Sequence, residues 1–225
     1  YVQCETTRVG GSVKNLYYVA IEGVIGVGKT SLAQLLEERL NAKLVMEKFE
    51  ENPFLADFYI DPERYAFQTQ LFFLLSRYRQ QLELRQIDVF NKLVISDYMF
   101  VKDRLFASLN LDEKEMSLYD SVATILEKNI LNPDLVIYLQ ADTSRLMDRI
   151  LHRGRDFEKN ISPEYIEGLN QVYNEYFFRF KDCPLLIINT NDIDFVHNEN
   201  DLEEVISYIR QPVSGTKFFN PASDL

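Results

Sequence analysis

Cysteine, histidine and positive charge are all scarce in this chain of 225 residues. The two cysteines, Cys4 and Cys183, lie far apart and form no ligand spacing. That argues against a zinc module or a disulfide framework and for reduced thiols in a cytosolic protein. The two histidines, His152 and His197, are isolated and read as ordinary surface residues. Lys and Arg number 24 against 35 Asp and Glu, a net charge of -11, which weighs against a nucleic-acid backbone as partner. No run of 18 apolar residues occurs, so no segment reads as a membrane span. Residues 1–16 are polar and lack the apolar stretch of a secretory signal, and are expected to be an N-terminal extension or linker, or a trimmed end. The segment 212–225, with Pro212, Gly215, Pro221 and Ser223, reads as a loose C-terminal tail. A guanine-type N-K-x-D signature is absent too, since Asn91-Lys92-Leu93-Val94 has no Asp. The expected setting is cytoplasmic.

Glycine is also sparse, yet three of the eight residues fall at Gly23, Gly26 and Gly28. Gly23-Val24-Ile25-Gly26-Val27-Gly28-Lys29-Thr30 is G-x-x-x-x-G-K-[ST], followed by Ser31. A strand-like run precedes it and a helix-like run, Leu32 to Leu40, follows, the context a P-loop requires. The glycines let successive N–H groups curl around a phosphate, and the following helix adds its positive end. Lys29 supplies a mobile cation for the outer phosphates, and Thr30 a hydroxyl for Mg²⁺. The pattern with its flanks points to a nucleoside triphosphate.

Five strand-like runs recur, Tyr17–Ile21, Lys43–Met46, Leu93–Ser96, Leu135–Leu139 and Leu185–Ile188, separated by helical segments. The alternation predicts an α/β fold with a five-stranded parallel sheet and helices on both faces, over residues 17–211 as one domain. The helix expected over Pro62–Ile87 carries apolar residues around much of its circumference, from Tyr65 to Tyr78. Such a helix is covered on two sides, by its own sheet and by a second subunit. The segment Glu113–Ile130 has two apolar faces as well (Met116, Tyr119, Ala123, Leu126; and Leu118, Val122, Ile125). A homodimer is therefore expected. Gln70 and Arg77 interrupt the first helix seven residues apart, on one face. Arg145, Arg149, Arg153 and Arg155 form a basic cluster, and Gly154 ends their helix. A solvated face is the ordinary reading of such a cluster. Beside a P-loop, an Arg-rich lid that closes on phosphates is the better one.

Together these motifs resemble the deoxynucleoside kinases, most closely the bacterial purine-type members, over about Tyr18 to Asn189. The resemblance implies a P-loop kinase fold that transfers the γ-phosphoryl of ATP, with Mg²⁺, to the 5′-hydroxyl of a deoxynucleoside, purine deoxynucleosides preferred and deoxycytidine possible. The family's general base follows the second strand; here that is Glu47, with Lys48 where a Pro is usual and Glu50 and Glu51 as rivals. An ungapped match over Tyr59 to Arg77 makes Tyr59 the reader of the sugar 3′-OH, Gln70 the partner of the base edge (Gln68 is the rival) and Arg77 the base-side arginine. After the third strand, Asp97 and Asp103 keep the family's acidic spacing. Asp97 would lie near Mg²⁺ and Asp103 would pair with Arg77 across the end of the base pocket. Tyr98 stands where the family has an Arg, which leaves Lys102 as a cation to compensate. Arg149, Arg153 and Arg155 match the lid, with Glu158 directed at the 3′-OH. Asn191–Phe195 would lie by the adenine of ATP. Two alternatives stand beside this reading: a nucleoside monophosphate kinase of the thymidylate kinase type, and a nucleotide-binding regulatory subunit without turnover.

Overall fold

The run Tyr18–Glu22 is strand β1, and all five of its residues are buried. A strand buried on both faces must be apolar throughout, as YVAI is, and must lie inside a parallel sheet. The computed structural model describes residues 16–86, 93–211 and 213–219. Around β1 it assembles β2 (Lys43–Val45), β3 (Val94–Ser96), β4 (Leu135–Gln140), β5 (Leu185–Asn189) and β6 (Thr216–Phe219). The order is β2-β3-β1-β4-β5-β6, and every pairing is parallel.

The sheet thus has six strands where the sequence pattern predicts five. The extra strand, β6, falls in the segment expected to be a tail. It is a four-residue edge strand, and Phe219 packs on Tyr208 with ring centroids 4.3 Å apart. The flanking Gly215 is a turn signal that hides so short an element from a periodicity reading.

Helices make the crossovers: α1 (Lys29–Leu40), α2 (Leu55–Ile60), α3 (Pro62–Gln86), α4 (Lys102–Asn110), α5 (Glu113–Glu127), α6 (Thr143–Arg153), α7 (Pro163–Arg179) and α8 (Glu199–Ile209). The chain builds β2 and β3 to one side of β1, then crosses to build β4, β5 and β6 on the other. The reversal leaves a crevice beyond the carboxyl ends of the strands, where open α/β sheets bind ligands. All four functional segments leave from that edge: the P-loop after β1, Glu47 after β2, Asp97 after β3 and the lid helix α6 after β4.

Helix α3 ends at Gln86, and Ile87 lies outside the described residues. Its inward side mixes buried Ala66, Leu74 and Leu84 with buried Thr69, Gln70, Arg77, Gln80 and Gln81, while Leu75 and Leu82 are exposed. Helix α5 is started by a capping box: the Asp112 carboxylate accepts from the Lys114 and Glu115 N–H groups at 2.8 and 2.9 Å, and Glu115 accepts from Asp112 N–H. Its Tyr119 and Ala123 pack with Leu74 of α3 in a cluster apart from the main core. The face bearing Leu118 and Ile125 is exposed.

Candidate active site

The P-loop holds its shape because two positions admit no side chain. Gly23 and Gly26 have φ of +148° and +87°. A Cβ on Gly23 would lie 2.6 Å from the Leu139 carbonyl oxygen, and one on Gly26 would lie 2.8 Å from that of Leu146. Lys29 lies over the loop and donates to the carbonyls of Gly23 and Val24 at 2.7 and 3.1 Å. Burial, reinforced by the nearby Lys102 charge, lowers its ammonium to about 8. Helix α1 starts at Lys29, so its positive end points into the same space.

The carboxylate of Asp97 joins two of the functional segments. One oxygen accepts from the Thr30 hydroxyl at 2.7 Å, the other from the Glu47 N–H at 2.7 Å. A hydroxyl and a carboxylate in contact at a P-loop fit Mg²⁺, a hard cation that takes oxygen ligands. Among the described residues no group of three or more His, Cys, Asp and Glu could hold a metal by itself.

Glu47 sits with its side chain 11 % exposed and a cation on each oxygen. Arg77 Nη2 donates to Oε1 and Lys102 Nζ donates to Oε2. Burial alone would push the carboxyl up, but Arg77 and Lys102 outweigh it and hold the group well below the usual carboxylate range. Glu50 and Glu51, in the short 3₁₀ turn that follows, are exposed and do not line the cleft.

On the far side of Glu47 the cleft is walled by aromatic and apolar side chains, Leu55 and Phe58 of α2 and Phe73 of α3 among them. Gln70 is buried there, and its Oε1 has no hydrogen-bond partner among the described residues. Gln68 is exposed. Tyr59 lines the same space, stacked against Phe157 with centroids 6.4 Å apart, and burial raises its hydroxyl well above the usual range. Arg77 lies over Phe73 at 4.9 Å and pairs with Asp103 through its other terminal nitrogen. Asp103 sits behind Arg77 and does not itself line the cleft.

Helix α6 stops at Gly154, whose φ is +66°. The chain then turns back, so Arg153 and Arg155 converge on buried Glu158. Arg153 donates to it from Nη2 at 2.7 and 2.8 Å and from Nε at 3.2 Å, and Arg155 from Nη1 at 3.4 Å. Arg155 also lies 4.3 Å over the Phe49 ring. Arg149 is placed elsewhere. It donates to the Val27 carbonyl and to both oxygens of Thr190, on the outer side of the P-loop and away from the cleft. In the segment after β5, the Phe195 ring comes within 3.2 Å of where a Gly28 Cβ would stand.

The structure therefore brings Lys29, Thr30, Glu47, Tyr59, Gln70, Arg77, Asp97, Arg153, Arg155 and Glu158 around one cleft. Tyr98 is fully buried and does not line it; its hydroxyl finds no partner among the described residues. Lys102 does line it. Sequence reasoning reached Lys102 only as a compensating charge, and it missed Glu22 altogether. Glu22 ends β1 fully buried and accepts from the N–H groups of Met99 and Gly23 at 2.6 and 3.1 Å and from the Tyr173 hydroxyl at 3.3 Å. Burial raises its carboxyl, with Lys102 and Lys29 as the opposing charges. An acidic residue closing an otherwise apolar strand was the available signal.

The family model described as deoxynucleoside kinase matches residues 19–214. The chain is 32% identical over 201 residues to the deoxyguanosine kinase of Bacillus subtilis (strain 168), covering 86% of this chain and 96% of that one. It is 33% identical over 206 residues to the deoxyadenosine kinase of Dictyostelium discoideum, covering 90% and 82%. A solved structure of deoxyadenosine kinase from M. mycoides with bound dATP superposes with a TM-score of 0.76 at 25% identity, covering 86% of this chain and 99% of that one.

Proposed function

The chain belongs to the deoxynucleoside kinase family and phosphorylates deoxynucleosides with ATP as donor, and from that premise we propose how its residues divide the reaction and which bases it takes. Gly23 to Ser31 cradle the triphosphate with their N–H groups, and Lys29 reaches its outer phosphates. Thr30 and Asp97 would hold Mg²⁺, which would supply charge neutralisation on the phosphates. Glu47 accepts the proton of the 5′-hydroxyl as that oxygen attacks the γ-phosphorus. Arg153 and Arg155 close over the group in transfer and stabilise its charge, while Arg149 steadies the outer side of the P-loop and the donor's nucleoside end. Tyr59 and Glu158 read the 3′-OH. Gln70, backed by Arg77 and Asp103, reads the base edge.

The single observation that carries this division is the place of Glu47. It lines one cleft together with Lys29 and Thr30 of the P-loop and with Gln70 of α3. Both partners of a phosphoryl transfer can then meet at one carboxylate. Gln70 offers that orphaned oxygen and an amide donor, which suit the adjacent donor and acceptor of an adenine edge. We accordingly assign purine deoxynucleosides as preferred acceptors, deoxycytidine as a weaker one and thymidine as poor. The names of the Bacillus and Dictyostelium relatives support the purine assignment. The proposal includes a homodimer through α3 and α5, whose outward leucines have no cover among the described residues, and, since ATP is an intracellular donor, action in the cytoplasm.

Transfer of labelled phosphate from ATP to each deoxynucleoside and each deoxynucleoside monophosphate tests the reading. Deoxyadenosine and deoxyguanosine are expected to be labelled most, and monophosphates not at all. Labelling of thymidine above both purines would overturn the base assignment.

A further inference from the structure

Glu47 holds a cation on each oxygen, and the two cations are held very differently. Arg77 is pinned: its second terminal nitrogen pairs with buried Asp103, and its guanidinium lies over Phe73. Lys102 stands at the first position of α4 on a four-carbon stem with its ammonium 5.6 Å over the Phe106 ring, and its only ion pair among the described residues is to Glu47. It lines the same cleft as Lys29 and Thr30 and is close enough to Lys29 for the two ammonium groups to repel. A carboxylate saturated on both oxygens by buried cations has little basicity left for a hydroxyl proton.

We propose that Lys102 exchanges partners during the reaction, leaving Glu47 Oε2 for an oxygen of the transferring phosphoryl group once the triphosphate is in place. A triphosphate between Lys29 and Lys102 removes the repulsion between them and offers Lys102 more negative charge than one carboxylate does. The exchange frees Oε2 at the moment the acceptor needs it. The 5′-oxygen then bonds to the γ-phosphorus and its proton passes to Oε2. The bond from the γ-phosphorus to the bridging oxygen breaks, and that electron pair leaves with ADP. Lys102 is on this account both the guard of the base and a catalytic cation, so the base is released only when the donor is present. The inference rests on Glu47 being the base.

The test is a double-mutant cycle read in kcat and in deoxynucleoside affinity. Lys102→Gln keeps a donor for Glu47 without the charge, and Lys102→Met removes both. Each is expected to lower kcat by ~10²–10³, the usual effect of losing one group aimed at transition-state charge, with deoxyadenosine affinity changed by no more than about threefold. The loss must persist in a Glu47→Gln background, because a contact to the phosphoryl group does not run through Glu47. Lys102→Arg, which keeps the charge, should recover part of kcat and serves if a neutral variant melts early. Full activity in Lys102→Gln, or a loss that vanishes in the Glu47→Gln background, overturns the exchange. Near-normal kcat in Glu47→Gln alone instead removes the base assignment beneath it, and that result comes from a different variant.

Discussion

Arg77 of α3 and Asp103 of α4 form an ion pair almost closed to solvent, with side chains 4 % and 1 % exposed. Breaking one partner of such a pair strands a buried charge at a cost of about 3–5 kcal/mol, so single substitutions confound stability with specificity. The second oxygen of Asp103 has no partner among the described residues, nor has Oε1 of Gln70. Gln70 lines the cleft itself, whereas Asp103 acts through Arg77, which it fixes in place. The pair fills space at the end of the base pocket that the 5-methyl group of thymine would need. The double variant Arg77→Met with Asp103→Ala should therefore raise the ratio of kcat/KM for thymidine over deoxyadenosine by ~10-fold or more. Because Arg77 also holds Glu47, absolute kcat should fall for both substrates. An unchanged ratio would show that the pair does not set specificity.

The lid arginines differ in what they touch, and their variants should differ accordingly. Arg153 and Arg155 line the cleft around Glu158, so Arg153→Ala and Arg155→Ala should each lower kcat by ~10² or more with little effect on deoxynucleoside binding. Arg149 is tied to Val27 and Thr190, so Arg149→Ala should raise the KM for ATP and leave kcat within a few fold. Steady-state kinetics with each substrate varied decide this. Wild-type kcat in both Arg153→Ala and Arg155→Ala would make the cluster a solvated helix face.

Lys29 predicts a proton linkage. Its folded-state value is lowered to about 8, whereas a bound polyanion favours the charged form and raises it. ATP affinity should therefore be full below pH 8 and fall as pH rises through 8 towards 9. Binding in that window should take up protons. Calorimetry of ATP binding at pH 8.5, in buffers of different ionisation enthalpy, measures the uptake. Release of protons there, or an affinity unchanged between pH 7 and 9, would contradict the assignment.

The exposed leucines of α3 and the outer face of α5 predict self-association. Leu118 and Ile125 of α5 are 55 % and 64 % exposed, and Leu75 and Leu82 of α3 are exposed as well. A two-fold dimer covers the same patch on both subunits. Light scattering at micromolar concentration should give twice the chain mass, and Leu118→Glu with Ile125→Glu should give a monomer. A wild-type monomer at that concentration would refute the dimer.

The sequence alone determined the P-loop and the α/β alternation, and the family resemblance singled out Glu47 and Asp97. The reason is local in each case. Gly23 and Gly26 occupy backbone regions that exclude other residues, and buried parallel strands read as apolar runs. Once the strands are parallel, the residues that follow them share one edge, so Glu47 and Asp97 meet although 50 residues separate them. Gln70 and Arg77 were legible as one helix face because their spacing is two turns. Tertiary structure decided the rest. Residues 97–101 leave β3 in an irregular turn, which has no period to say which side chains enter the cleft, and only the tertiary fold, with α4 packed against α3 and α7, buries Tyr98 and turns Lys102 to Glu47. The same holds for Arg149, four residues from Arg153 on one helix yet drawn off to Thr190, 41 residues away at the end of β5. Edge strand β6 exists only because β5 offers it a ladder of hydrogen bonds. Each of these outcomes depends on which distant segment lies opposite, and a periodicity carries no information about that.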